Sequence, residues 1–206
     1  MAFTNKTGLL AGLVAAFLAF ANPAAAIDFT NVAFAQTAAG VTSIPVGHLQ
    51  FCNTHPTECQ PYRTIVEATT LTEENWQQLV GVNAYYNQSV VPVTDQDLYH
   101  VEEFWTYPNG YGDCEDFALA KRRDLINAGW APSTLMIAVV RETNGNGHAV
   151  LIARTDRGDL VLDNQAGTIE LWSQTPYHYV KRQSQANPGQ WVDMVDDRVL
   201  MVAANN

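Results

Sequence analysis

The stretch Gly112-Asp-Cys-Glu-Asp-Phe-Ala-Leu-Ala-Lys-Arg-Arg-Asp-Leu-Ile-Asn-Ala-Gly129 decides how this chain is read. Acids fill its first turn, where they face the positive end of a helix. Bases follow, and Gly129 suits the left-handed C′ stop. A helix is expected here, with Cys114 at its opening. The sequence beyond it changes period. Leu135 to Arg141 is rich in β-formers, and Asn144-Gly-Asn-Gly147 is a strong turn signal. His148 to Arg154 reads as a second strand, Asp156 to Asp159 as a turn, Leu160 to Asp163 as a third strand, and Arg198 to Ala203 as a further candidate. Upstream, Leu71 to Gln88 has helical spacing: Thr72 suits the N-cap, Glu73 and Glu74 the first turn, and Trp76, Leu79 and Val80 form an apolar stripe. Helices packed on an antiparallel sheet, in that chain order, make an α+β domain.

The chain has 206 residues, with 11 Lys+Arg against 21 Asp+Glu, a formal charge of −10. One domain fits that length. An acidic balance argues against nucleic acid and anionic membrane surfaces, which need clustered bases. A protein, a peptide or a small ligand is the expected partner. Residues 1–26 combine Lys6, an apolar run from Gly8 to Ala21, the break at Asn22-Pro23 and a small-x-small end at Ala24-Ala25-Ala26. That is the anatomy of a cleaved signal peptide, with a second cleavage option at Ala33-Phe34-Ala35. The run is shorter than the roughly 20 residues a membrane span needs. No other segment approaches that length, so the mature chain is expected to be exported without a membrane span. Losing residues 1–26 removes Lys6 and no acid, which leaves 10 bases against 21 acids and a charge of −11. Residues 27–45, rich in Ala, Thr and Gly, read as a flexible tether leading into a domain over 46–206.

Export into an oxidising compartment makes Cys52 and Cys59, seven residues apart in a loop with Pro56, a candidate disulfide. The competing reading is a metal site that includes His55, but two thiols and one imidazole leave the tetrahedral shell incomplete. Cys114 is then unpaired. At a helix start, free N–H groups favour its thiolate, while Glu115 and Asp116 oppose it; a small core residue is the equal alternative. His148 opens one strand and Asp163 closes the next, so an antiparallel pair can set the carboxylate against one imidazole nitrogen and leave the other for a thiol. Cysteine, histidine and aspartate in that arrangement suit acyl transfer. Asn83 and Asn87 continue the Trp76 face of their helix, and inward amides serve either as a structural bracket or as part of a site.

Gly112-Asp-Cys-Glu-Asp-Phe-Ala-Leu-Ala-Lys121, Gly147-His-Ala-Val-Leu151, Val161-Leu-Asp-Asn164 and Val82-Asn-Ala-Tyr-Tyr-Asn-Gln88 together resemble the bacterial transglutaminase-like cysteine proteinases, the periplasmic LapG-type enzymes. The likeness runs from about Phe51 to the C-terminus; the Cys52/Cys59 loop is not part of it. It implies a papain-like fold in its transglutaminase variant, with Cys114 as nucleophile, His148 as base and Asp163 as orienter. It also implies a periplasmic endopeptidase, a large surface adhesin as substrate and an inner-membrane cyclic-di-GMP receptor as regulator. Amide transfer to an amine, or a non-catalytic binding module on the same fold, are the alternatives. Papain-like sites take one oxyanion donor from the nucleophile's N–H and another from an upstream side chain, for which Asn83, Asn87 and Gln88 are the candidates. Asp113, Glu115 and Asp116 crowd negative charge around one thiol. Calcium through Asp113 and Glu115 would reverse that field, and the resemblance implies the same cofactor.

Overall fold

The computed structural model describes Ile27, Phe29 and residues 32–198. The signal-peptide reading of residues 1–26 and the candidate strand beyond Arg198 lie outside the described residues. Strand β1 (Gln36–Thr37) precedes helix α1 (Val46–Thr54) and a short 3-10 turn at Pro56–Cys59. Helix α2 (Glu73–Ser89) leads through β2 (Val91–Pro92), the single turn α3 (Asp95–Leu98) and β3 (Tyr111–Gly112) into α4 (Cys114–Asn127). The strands β4 (Leu135–Arg141), β5 (Gly147–Thr155), β6 (Gly158–Leu162), β7 (Glu170–Leu171), β8 (His178–Gln183) and β9 (Trp191–Val195) follow.

Local chemistry explains the helix ends. Thr72 Oγ1 accepts the Asn75 N–H at 3.2 Å, which caps α2. Gly129 takes φ +100° immediately after α4, as a C′ glycine does. Along α2, Leu79, Asn83 and Tyr86 are buried, while Val80 is 37% exposed and falls outside the expected stripe. Tyr86 ties the two helices together by donating to Asp124 Oδ2 at 2.7 Å.

Seven strands form one antiparallel sheet in the order β1-β9-β8-β4-β5-β6-β7. Alternation sorts their side chains onto two faces. Leu135 and Ile137 of β4, with Ala149, Leu151 and Ala153 of β5, pack beneath Leu119 and Leu125 of α4 and Leu79 of α2. Met136, Ala138, Val140, Val150 and Ile152 point the other way, where Trp172, Tyr177, Tyr179 and Met194 cover them. Each fully buried leucine in this core contributes about 1.5–3 kcal/mol relative to an exposed one. The domain is therefore α+β, with α4 laid across the centre of the sheet. The 27–45 stretch, expected as a tether, lays Gln36–Thr37 along β9 and packs Ile27, Phe29 and Ile44 against the core. Among the described residues no helix is long and apolar enough to cross a membrane.

Candidate active site

Antiparallel pairing of β5 with β6, Leu151 opposite Leu162, brings the start of one strand beside the end of the other. His148 Nε2 and Asp163 Oδ1 meet there at 2.9 Å, with both residues buried. Asp163 is held firmly. Its Oδ1 also accepts the Gln165 N–H at 2.9 Å, and its Oδ2 accepts the Tyr177 hydroxyl. Burial alone would raise this carboxyl, but the bonds from His148, Tyr177 and Gln165 outweigh it and hold the pKa below the usual carboxylate value. An acceptor that stays ionised fixes the proton of His148 on Nε2 and leaves Nδ1 as the basic nitrogen. The Gln165 amide approaches Nδ1 at 3.4 Å, in keeping with that tautomer.

Helix α4 delivers Cys114 to the same place. Cys114, Glu115, Gly147, His148 and Ala149 line one cavity of about 480 Å³, walled further by Val46, Trp105 and Val139. Val139 sits where the β4–β8 register shifts, so a bulge shapes this wall. Cys114 is half-buried and is the one free cysteine. Its thiol donates to Glu115 Oε2 at 3.1 Å, and no hydrogen bond to the imidazole accompanies it among the described residues. Burial first, then the charge of Glu115 and that hydrogen bond, push the thiol well above its ordinary pKa. The Ala149 N–H, directed at the sulfur, works in the opposite sense.

The amides expected as oxyanion donors are used elsewhere. Asn87 Nδ2 donates to Asp163 O at 2.8 Å and to Ala166 O at 3.0 Å, and Asn83 Nδ2 donates to Ala166 O at 3.3 Å. Gln88 is exposed. None of the three lines the cavity that holds Cys114, so Asn83 and Asn87 are corrected to brackets for the turn after Asp163. The backbone N–H of Cys114 stands at a helix start, where no intrahelical carbonyl reaches it.

A group of acids stands behind the thiol. Pairing of β2 with β3 brings Asp95 to Asp113, and one turn of α4 adds Asp116. One carboxylate oxygen from each lies within 4.8 Å of the others. Asp95 is 2% and Asp116 0% exposed. Asp95 Oδ1, Asp113 Oδ1 and Asp116 Oδ2 are buried without a hydrogen-bond partner. Burial lifts Asp95 to about 6 and Asp116 to about 8, and raises Asp113 as well. Three unpartnered hard oxygens fit a calcium ion, which takes oxygen ligands in flexible geometry. Asp113, named from sequence, belongs to this group. Glu115 adjoins it through the Asp113 side chain and otherwise faces the thiol; burial, then the charge of Asp113, raises it to about 9. Sequence reasoning does not find Asp95, because the β2–β3 pairing that brings it in has no local signature.

Cys52 and Cys59 are bonded, with sulfurs 2.08 Å apart. His55 stacks on Phe51, ring centroids 4.4 Å apart. The residues that hold Asp163 from the far side, Tyr177 and Gln165, were not found by sequence reasoning.

The model of the family "bacterial transglutaminase-like cysteine proteinase BTLCP" matches residues 38–199. Solved structures of Legionella pneumophila LapG are also similar. The calcium-bound form is 30% identical with a TM-score of 0.46, covering 51% of this chain and 62% of that one. A second LapG structure is 29% identical with a TM-score of 0.49, covering 57% and 68%. The EGTA-treated form is 27% identical with a TM-score of 0.48, covering 60% and 68%. This chain thus spans 62% of the length of the calcium-bound structure. No match was found among curated protein sequences.

Proposed function

The chain belongs to the bacterial transglutaminase-like cysteine proteinases, and we propose that it hydrolyses a peptide bond of a protein substrate through Cys114, His148 and Asp163. The observation that carries this is the buried His148–Asp163 hydrogen bond opening onto the cavity that holds the one free thiol. Asp163 keeps the imidazole proton on Nε2, so Nδ1 is the base for the thiol. The thiol turns from Glu115 towards Nδ1, loses its proton there, and attacks the scissile carbonyl. The carbon–sulfur bond forms as the carbonyl π pair moves onto oxygen, towards the Cys114 N–H. When the tetrahedral species collapses, the C–N bond breaks and His148 hands its proton to the leaving amine. Water, deprotonated by the same nitrogen, then releases the acyl group and frees the thiol.

Calcium belongs to the same proposal, held by Asp95, Asp113 and Asp116 with Glu115 adjoining. The support is the set of buried, unpartnered carboxylate oxygens. A bound cation would supply positive charge beside a thiol that its own acids disfavour as a thiolate. The expected compartment is the periplasm; the signal-peptide reading of residues 1–26 and the Cys52–Cys59 disulfide support it. The finer reading, a surface adhesin as substrate and an inner-membrane cyclic-di-GMP receptor as regulator, follows from the family resemblance.

The test is the fate of the acyl-enzyme. The calcium-supplemented protein is incubated with a protein mixture, with and without an added primary amine, and the products are weighed by mass spectrometry. Hydrolysis gives new C-termini as free acids under both conditions. Products carrying the amine in place of the acid would replace proteolysis with amide transfer.

A further inference from the structure

We propose that Lys121 is a positioning residue of this site: its buried ammonium, acting through the Asn83 side chain, fixes the 163–166 turn that aims Asp163 at His148. This rests on the His148–Asp163 reading above and extends it one layer into the protein.

Lys121 lies two turns after Cys114 on the same face of α4 and is 1% exposed. No carboxylate comes within 4.0 Å of it among the described residues. Among the described residues its one hydrogen bond goes to Asn83 Oδ1 at 2.8 Å, and the Phe117 ring centroid is 5.7 Å from Nζ. An ammonium removed from water without an ionic partner is costly, and a methionine would fill the same space without that cost. Burial accordingly lowers the Lys121 pKa to about 7, against the pull of the Asp163 charge. A purely structural account leaves that cost unexplained.

The amide of Asn83 shows what the ammonium does. While protonated, Lys121 is a donor only, so it takes the amide oxygen and not the amide nitrogen. That turns the Asn83 NH₂ towards Ala166 O, where it donates at 3.3 Å. Asn87, one helical turn on, donates to Ala166 O and to Asp163 O. The turn is thereby held at both ends, and within it the Gln165 N–H reaches back to Asp163 Oδ1. Without Lys121 the Asn83 Oδ1 is left buried without a donor, and the amide loses the anchor that aims its NH₂ at Ala166 O. An amide that reorients to find a donor for its oxygen weakens its bond to Ala166 O, and the turn that carries Asp163 loosens against the imidazole.

Two variants test this in calcium-supplemented protein. Lys121→Met removes the donor. Asn83→Asp keeps an acceptor for Lys121, and indeed a stronger one, but loses the donor to Ala166 O. The readouts are the rate of Cys114 alkylation by iodoacetamide as a function of pH, the melting temperature, and kcat and KM on a cleaved protein. Both variants are expected to melt close to the wild type, since Lys121→Met removes a buried charge but strands Asn83 Oδ1, and Asn83→Asp gains an ion pair but faces Ala166 O with an acceptor. Both should lower kcat by about 10- to 100-fold through misplacement of the base, with KM changed by less than about twofold. The neutral-pH alkylation that depends on His148 should fall in parallel. Wild-type kcat and a wild-type alkylation profile in both variants would overturn the proposal. So would a melting temperature that falls while kcat of the folded fraction holds. If Lys121→Met does not accumulate as folded protein, Asn83→Asp decides alone. His148→Ala separates the two levels. If it leaves the alkylation profile unchanged, the dyad reading fails and this proposal with it. If it flattens the profile while Lys121→Met and Asn83→Asp do not, only this proposal fails.

Discussion

Gly112 sits where the backbone passes the acid group, and replacing it tests how tightly that group is built. A β-carbon there would lie 2.7 Å from Asp116 Oδ2 and 2.9 Å from Asp116 Cβ. In an open site the carboxylate end of Asp116 would rotate away, but its Cβ cannot move without α4. Asp116 is fully buried and its Oδ1 also accepts the Thr106 N–H at 2.8 Å. Gly112→Ala is therefore an overpacking change, expected to destabilise by about 1–3 kcal/mol. For a chain of this size that corresponds to a fall in melting temperature of roughly 3–10 °C. Because it displaces a carboxylate of the proposed calcium site, it should also shrink the rise in melting temperature on adding calcium. Gly81→Ala is the control: it lies within α2 with open space around it, and should stabilise by about 0.5–1 kcal/mol through helix propensity. The assay is thermal unfolding by circular dichroism with calcium or with a chelator. A Gly112→Ala protein with wild-type melting temperature and wild-type calcium response would refute the reasoning. So would two alanine variants that shift in the same direction.

Iodoacetamide should modify Cys114 alone in the oxidised protein, and mass mapping should find Cys52 and Cys59 joined until a reductant is added. Stability of the calcium-free protein should fall as pH rises from about 4 towards 8: Asp116 is buried and its pKa raised, so the folded state keeps a proton that the unfolded state has already released. Each such retained proton makes a slope of about 1.4 kcal/mol per pH unit, and calcium, by taking over the carboxylates, should flatten it in melting curves across that range. Asp163→Asn should keep measurable turnover while Cys114→Ala keeps none, because the carboxylate orients the imidazole and the thiol makes the bond; equal activity for Asp163→Asn and wild type would pass the orienting role to another acceptor.

What the sequence made legible is what local periodicity and turn chemistry control. The helix from Cys114 and the strand Leu135–Arg141 appear where capping acids, Gly129 and β-branched runs place them. Strands β8 and β9 were missed because Lys181, Arg182 and Asp193 interrupt their apolar alternation, and only pairing with β4 and β1 makes them strands. His148 and Asp163 could be proposed as partners because one hairpin joins them. Tyr177 and Gln165 complete the grip on Asp163 from a separate segment and a tight turn, which no spacing rule announces. Asn83 is buried and Asn87 half-buried, but which backbone they meet depends on where the 163–166 turn falls. Asp95 and Asp113 are 18 residues apart in sequence and become neighbours only through the two-residue β2–β3 pair.

The most direct test of the central claim is a count of new protein N-termini. A bacterial periplasmic extract is incubated with calcium and with wild-type, Cys114→Ala or His148→Ala protein, and N-termini are labelled and identified by mass spectrometry. A small set of new termini is expected with the wild type, none of them with either variant, and their loss when calcium is chelated. New termini that persist with Cys114→Ala, or none at all with the calcium-loaded wild type, would contradict the claim.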